Sequence, residues 1–211
     1  MHEKVLPKGS RELLEALSRS KSAALEGWTL AGGTGLALHL GHRVSEDFDF
    51  FRATRIDWNE LRNSMGAIGA YETLQEDDRT WTVLLAGVKL SFFHIDEKFL
   101  FELHSYRFFT VADPRDIALM KLIAISSRGS RRDFVDLYVM LRTGLDLRDC
   151  FEQLDARYGE QRVNAYHILK SLCYFEDAEA EPMPVMLEPF DWKECRAFFV
   201  REAAAIVLPP R

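Results

Sequence analysis

The chain has 211 residues, 47% of them hydrophobic and 28% charged, with a formal net charge of −6. That is an ordinary globular composition, enough for one domain or two small ones. The acidic balance argues against a surface broadly coated in nucleic acid, so any RNA or nucleotide contact has to come from a local basic patch.

From Ser10 to Leu25, apolar residues recur at helical spacing (Leu13, Leu14, Leu17, Ala24, Leu25), and Ser10 is expected to cap that helix. Trp28 to Ala31 reads as a short strand ending at Gly32-Gly33, and Gly35 to Leu40 as a short helix with Thr34 at its start. Asp47 to Phe51 is expected to be a second strand, and Asp57 to Met65 a helix capped by Asp57. YETLQ, TWTVLLAG and VKLSFFHI are rich in β-branched and aromatic residues and predict three strands, with a further one over Tyr106 to Val111. After Asp113 the pattern turns helical, with Pro114 in a first turn, a break near Gly129, and a second helix from Arg131 to Leu141. Further helices are expected at Leu147 to Arg157, Arg162 to Phe175 and Trp192 to Val207, and Glu176 to Pro189 is expected to be a loop. Cys150, Cys173 and Cys195 lack any CxxC pair, so neither a disulfide framework nor a zinc site is expected. The first residues, MHEKVLPKGSRELLEAL, carry charges where a secretory signal needs an apolar core. No apolar run approaches the roughly 20 residues that span a bilayer. A cytoplasmic chain without a membrane partner is therefore expected.

One stretch, LAGGTGLALHLGHRVSEDFDFF from Leu30 to Phe51, carries the chemistry. Glycines between a strand and a helix start leave bare backbone N–H groups at the positive end of a helix dipole, where an anion can approach without meeting a Cβ. Gly32 and Gly33 stand in that place, and Thr34 adds a hydroxyl; a plain tight turn explains the glycines equally well. A P-loop fails because no lysine follows the glycines, and a dinucleotide fingerprint fails because Leu38 stands where the third glycine belongs. Strand alternation puts Asp47 and Asp49 on one face with Cα atoms about 6.5–7 Å apart, and points Phe48 and Phe50 into a core. Two carboxylates so placed suit a hard cation, and exposed acids on an edge strand are the plain alternative. A nucleoside triphosphate needs both elements: donors for its phosphate oxygens and a Mg²⁺ to neutralise them.

Gly33-Thr34, a twelve-residue gap and Asp47-Phe48-Asp49 resemble the G[ST]…DxD signature of the polymerase-β-like nucleotidyltransferase superfamily. The fuller stretch, with His42, Arg43 and Ser45, resembles the AbiEii/AbiGii toxin family of nucleotidyltransferases over roughly residues 28 to 140. The resemblance implies that Gly32, Gly33, Thr34, Arg43 and Ser45 bind nucleotide and that Asp47 and Asp49 ligate Mg²⁺ or Mn²⁺. Arg43 either adds positive charge near the phosphates or pairs with the aspartates. A later strand in this family often reads K-x-D; here it reads Lys89-Leu90-Ser91, so the lysine matches and the acid does not. His94 and Asp96 lie further along the same segment. The stretch KLIAISSRGSRRDFVDL resembles the family's K…R…[KR]DxxD motif. That likeness implies that Lys121 and Arg128 contact phosphate or RNA, with Asp133 or Asp136 as base or orienting carboxylate. An Arg132–Asp136 pair at i,i+4 is the plain structural alternative.

The fold class expected is α+β: a minimal nucleotidyltransferase fold, with a small mixed sheet flanked by helices, over residues 1–112. A helical region over 113–211 is expected to pack over the nucleotide site. The function implied is Mg²⁺-dependent transfer of a nucleoside monophosphate from a triphosphate to a hydroxyl acceptor. A tRNA 3′ end or another RNA would serve as acceptor, and a cognate antitoxin as partner. Ser91 keeps open a catalytically weak or inactive nucleotide- or partner-binding module, and modification of a small molecule or a protein side chain is a third reading.

Overall fold

Phe48 and Phe50 are 0% and 2% exposed, and the sheet is built around rings like these. The computed structural model describes residues 1–160 and 162–208. The chain divides into two units, Met1–Asp113 and Pro114–Arg211.

The first unit opens with a 3₁₀ turn and helix α1 (Lys8–Ser20). Strand β1 (Thr29–Ala31), helix α2 (Gly32–Leu40), strand β2 (Phe48–Arg52) and helix α3 (Trp58–Ile68) follow. Strands β3 (Tyr71–Glu76), β4 (Thr80–Leu85), β5 (Val88–His94), β6 (His104–Tyr106) and β7 (Phe109–Val111) complete it. The strands form one mixed sheet in the order β3-β4-β5-β2-β1-β7-β6. β2 runs parallel to β5 and antiparallel to β1, so β2 sits in the middle with a partner on each side.

Period-two alternation sorts the side chains. Leu30, Phe48, Phe50, Leu90, Phe92, Trp81 and Val83 share one buried core with Leu13, Leu14 and Leu17 of α1 and Leu61 and Met65 of α3. The rings interlock: Phe50 stacks on Phe92 at 5.5 Å and meets Phe109 edge-on at 5.2 Å, while Trp28 meets Phe92 edge-on at 5.0 Å. Each fully buried Phe is worth about 1.5–3 kcal/mol over exposure. The alternate residues, Asp49 and Phe51 on β2 and Lys89, Ser91 and Phe93 on β5, belong to the other face.

Three local expectations are corrected. α1 starts after Pro7 and ends at Lys21 in the left-handed region, so Ser10 lies inside the helix and its hydroxyl donates to the Glu46 carbonyl at 3.0 Å. Ala23–Leu25 is a separate 3₁₀ turn. The strand expected over 106–111 is a hairpin, turned at Arg107 with φ 54.

The second unit is helical: α4 (Pro114–Arg128), α5 (Arg131–Arg142), α6 (Leu147–Tyr158), α7 (Ala165–Ser171), α8 (Glu176–Ala180) and α9 (Trp192–Ala205). α7 is shorter than the 162–175 helix expected, because Asn164 caps it by accepting from His167 N at 3.1 Å. α8 falls in the stretch expected to be a loop. Its first turn carries Glu176, Asp177 and Glu179, which favour the positive end of a helix. Residues 209–211 of the expected helical region lie outside the described residues. Among the described residues no helix is long and apolar enough to cross a membrane.

Candidate functional site

The turn between β1 and α2 is where backbone and carboxylate meet. Gly32 has φ 63, a conformation that glycine adopts without strain. A Cβ on Gly32 would lie 2.7 Å from Asp49 Oδ2. The approach follows from register, since Ala31, the residue before the turn, pairs with Asp49 across β1–β2. A Cβ on Gly33 would overlap Arg43 Nη2 and lie 3.5 Å from Ser45 Oγ. Both glycines are thus close-approach positions, and Arg43, 4% exposed, brings its guanidinium against the turn. Arg43 Nη1 also donates to the Val44 carbonyl at 3.0 Å.

Thr34 is 1% exposed. Its hydroxyl donates to the Asp47 backbone carbonyl, and Ser45 Oγ lies 2.7 Å from Thr34 Oγ1. One proton cannot serve both contacts, so Ser45 donates to Thr34. The two hydroxyls therefore join the glycine turn to the start of the acid-bearing strand.

Across β2–β5, Asp49 pairs with Ser91, which is 4% exposed. One step earlier Lys89 Nζ lies 2.8 Å from Asp47 Oδ2, with the side chains 40% and 30% exposed. Across β4–β5, Thr82 pairs with Ser91. The row on this face thus reads Asp49, Ser91, Thr82. Thr82 was passed over in reading the sequence, although the alternation in TWTVLL puts it on the Lys89 face. Of the other acids on this segment, Asp96 is bound by Arg79 at 2.8 Å.

The residues expected from the helical half meet one another within the second unit. Lys121 of α4 reaches Asp133 Oδ1 and Asp136 Oδ2 of α5, both at 2.7 Å. Asp133 and Asp136 are three apart on α5, which puts them on one face. Arg128 holds Asp133 in a two-pronged pair, at 2.7 Å through Nε and 3.0 Å through Nη2. Burial alone would raise the Asp133 carboxyl, but Lys121 and Arg128 outweigh it and hold it below the usual carboxylate range. Arg128 is the solvent-facing member, with its side chain 65% exposed against 6% or less for the other three. Arg131 is drawn elsewhere: it donates to the Ala178 carbonyl at 2.7 Å and lies over the Trp192 ring.

The donor chemistry of the first unit fits a hard cation: Asp49 from β2 and Asp47 from just before it, since the strand begins at Phe48 and not at Asp47 as expected, with hydroxyls beside them. Among the described residues no group of three His, Cys, Asp or Glu side chains is gathered for a metal. The turn fits an anion, since the bare backbone of Gly32 and Gly33 opens α2 at its positive end.

The model of the family described as "Nucleotidyl transferase AbiEii toxin, Type IV TA system" matches residues 13–207. The chain belongs to the AbiEii nucleotidyltransferase toxin family. An uncharacterized protein of Aquifex aeolicus (strain VF5), aq_aa25, is 35% identical to this AbiEii chain over 198 residues, 91% of this chain and 94% of that one. The solved structure of JHP933 from Helicobacter pylori superposes with a TM-score of 0.55 at 18% identity, over 95% of this chain and 92% of that one. The nucleotidyltransferase toxin MenT4 from Mycobacterium tuberculosis gives a TM-score of 0.49 at 16% identity, over 97% and 88%. The likeness to JHP933 shows a shared fold. Nucleotidyl transfer is the chemistry of the AbiEii family, and a toxin–antitoxin system is its setting.

Proposed function

We propose that this AbiEii chain transfers a nucleoside monophosphate from a nucleoside triphosphate to a hydroxyl acceptor, with an RNA such as a tRNA 3′ end as the acceptor to test. The observation that supports this reading is the approach of Asp49 Oδ2 to Gly32, which brings one acid of the Asp47–Asp49 pair beside the glycine turn. The acceptor hydroxyl gives up its proton to solvent water as its oxygen attacks the α-phosphorus, the bond to the β-phosphate breaks, and pyrophosphate leaves with the electron pair. Backbone N–H groups of Gly32, Gly33 and Thr34 receive phosphate oxygens, while the Ser45–Thr34–Asp47 bonds keep the turn in shape. Arg43 and Lys89 add positive charge. Asp47 and Asp49 would hold Mg²⁺ or Mn²⁺, which when bound would supply the positive charge that neutralises the phosphates. In the second unit, the buried carboxylates of Asp133 and Asp136 orient Lys121 and Arg128, and the solvent-facing Arg128 is the cation that a phosphate or RNA would meet there. The setting is the cytoplasm, with a cognate antitoxin as protein partner.

The test is label transfer. Full-length protein is incubated with Mg²⁺, each α-labelled triphosphate and total RNA, beside an Asp47→Ala/Asp49→Ala variant. Label on RNA that disappears in the variant is expected; label that survives it removes the metal site. A second reading, a nucleotide-binding module without transfer, is favoured by Ser91 standing opposite Asp49. Triphosphate binding with no pyrophosphate release in the presence of RNA would select it.

A further inference from the structure

The face that carries the two carboxylates is poor in negative charge. Lys89 Nζ lies 2.8 Å from Asp47 Oδ2, and the residue beside Asp49 on β5 is Ser91, with Thr82 one strand further along the row. Two dications held about 4 Å apart need shared carboxylates and further anionic ligands. Neutral hydroxyls supply oxygen without charge, and an ammonium on one of the two carboxylates repels a second cation. We infer that this site takes one divalent cation with its triphosphate, on Asp47 and Asp49, and that the Lys89 ammonium supplies the positive charge a second ion would bring. This deepens the proposed function and rests on its metal site.

Lys89 then has two states. Without nucleotide it neutralises Asp47 as an exposed ion pair. With nucleotide its flexible stem lets Nζ turn to a phosphate oxygen, leaving Asp47 to the cation. A lysine that only supported the strand would affect both states alike.

The experiment counts Mn²⁺ by the paramagnetic resonance of the unbound ion, with full-length protein saturated by a non-hydrolysable triphosphate analogue. One Mn²⁺ per complex is expected for the wild type and for Ser91→Asn, and two for Ser91→Asp, which adds the missing anion. Lys89→Met is expected to bind Mn²⁺ alone roughly two- to fivefold more tightly, the scale of an exposed ion pair. The same variant is expected to bind the Mn²⁺–analogue complex more weakly. Two Mn²⁺ per complex in the wild type, a count of one in Ser91→Asp, or both Lys89→Met affinities moving together would overturn the inference. Asp47→Ala/Asp49→Ala separates the two levels. If it binds the Mn²⁺–analogue complex like wild type, the metal site itself is wrong. If it loses binding while the wild type counts two, only the single-cation inference falls.

Discussion

At the scale of single residues, the glycine turn is the most demanding place in the site. Gly32 combines a positive φ with a carboxylate oxygen where a Cβ would stand. Gly32→Ala therefore suffers twice, with backbone strain of about 1–2 kcal/mol and displacement of Asp49. The expected outcome is a modest fall in the denaturant midpoint and a much larger loss of Mn²⁺–triphosphate binding. Equal losses in both would mean that the turn serves folding alone. The glycines and DFDF were legible in the sequence because each rule behind them is local: a strand end, a bare turn, a period of two. The Lys89–Asp47 contact was not, because parallel pairing of β2 with β5 joins segments some forty residues apart and no local pattern announces its register.

Among elements, α4 and α5 are held by the Lys121–Asp133–Asp136 contacts as well as by apolar packing. Removing one partner of a buried ion pair costs about 3–5 kcal/mol, since the charge left behind has no water. Lys121→Met takes the ammonium from both acids, with Asp133 still held by Arg128, and is expected to lose about that much, measured by urea unfolding. The acid limb tests Asp133 separately. Its folded pKa is depressed, so its stabilising contribution is complete above the ordinary aspartate value of 3.8 and is lost as pH falls below that value. Wild-type stability is expected to drop through this window, and Asp133→Asn to show a shallower slope there; identical slopes would refute the assignment. Helical spacing put the two acids on one face, yet it could not say which residue of α4 they would face. The hairpin of β6 and β7 escaped notice for a related reason: Arg107 turns it with a positive φ and offers no Gly or Asn as a signal. α8 was hidden by acids that read as loop composition, although acids are what a helix start prefers.

Over the whole molecule, the sheet of the first unit keeps its ring core on one face and the residues of the proposed site on the other. Phe50→Ala removes a ring that touches Phe48, Phe92 and Phe109, and is expected to cost about 3–5 kcal/mol. Phe51, next in the same strand but half-buried and stacked on Phe93 at 4.9 Å, is expected to cost less when cut to alanine. Thermal unfolding of the two variants checks the asymmetry, and equal losses would deny it.

That separation also sets how this stretch can change over evolutionary time. Substitutions at 47, 49, 89 and 91 would alter the proposed ligands while leaving the ring packing in place, so the fold accommodates a serine at 91 readily. An inserted codon within DFDF is different. It would reverse the facing of every residue on one side of it, setting a carboxylate against the hydrophobic layer or a phenyl ring on the opposite face, so the proposed site and the core would suffer together. This segment can drift letter by letter, but not in length.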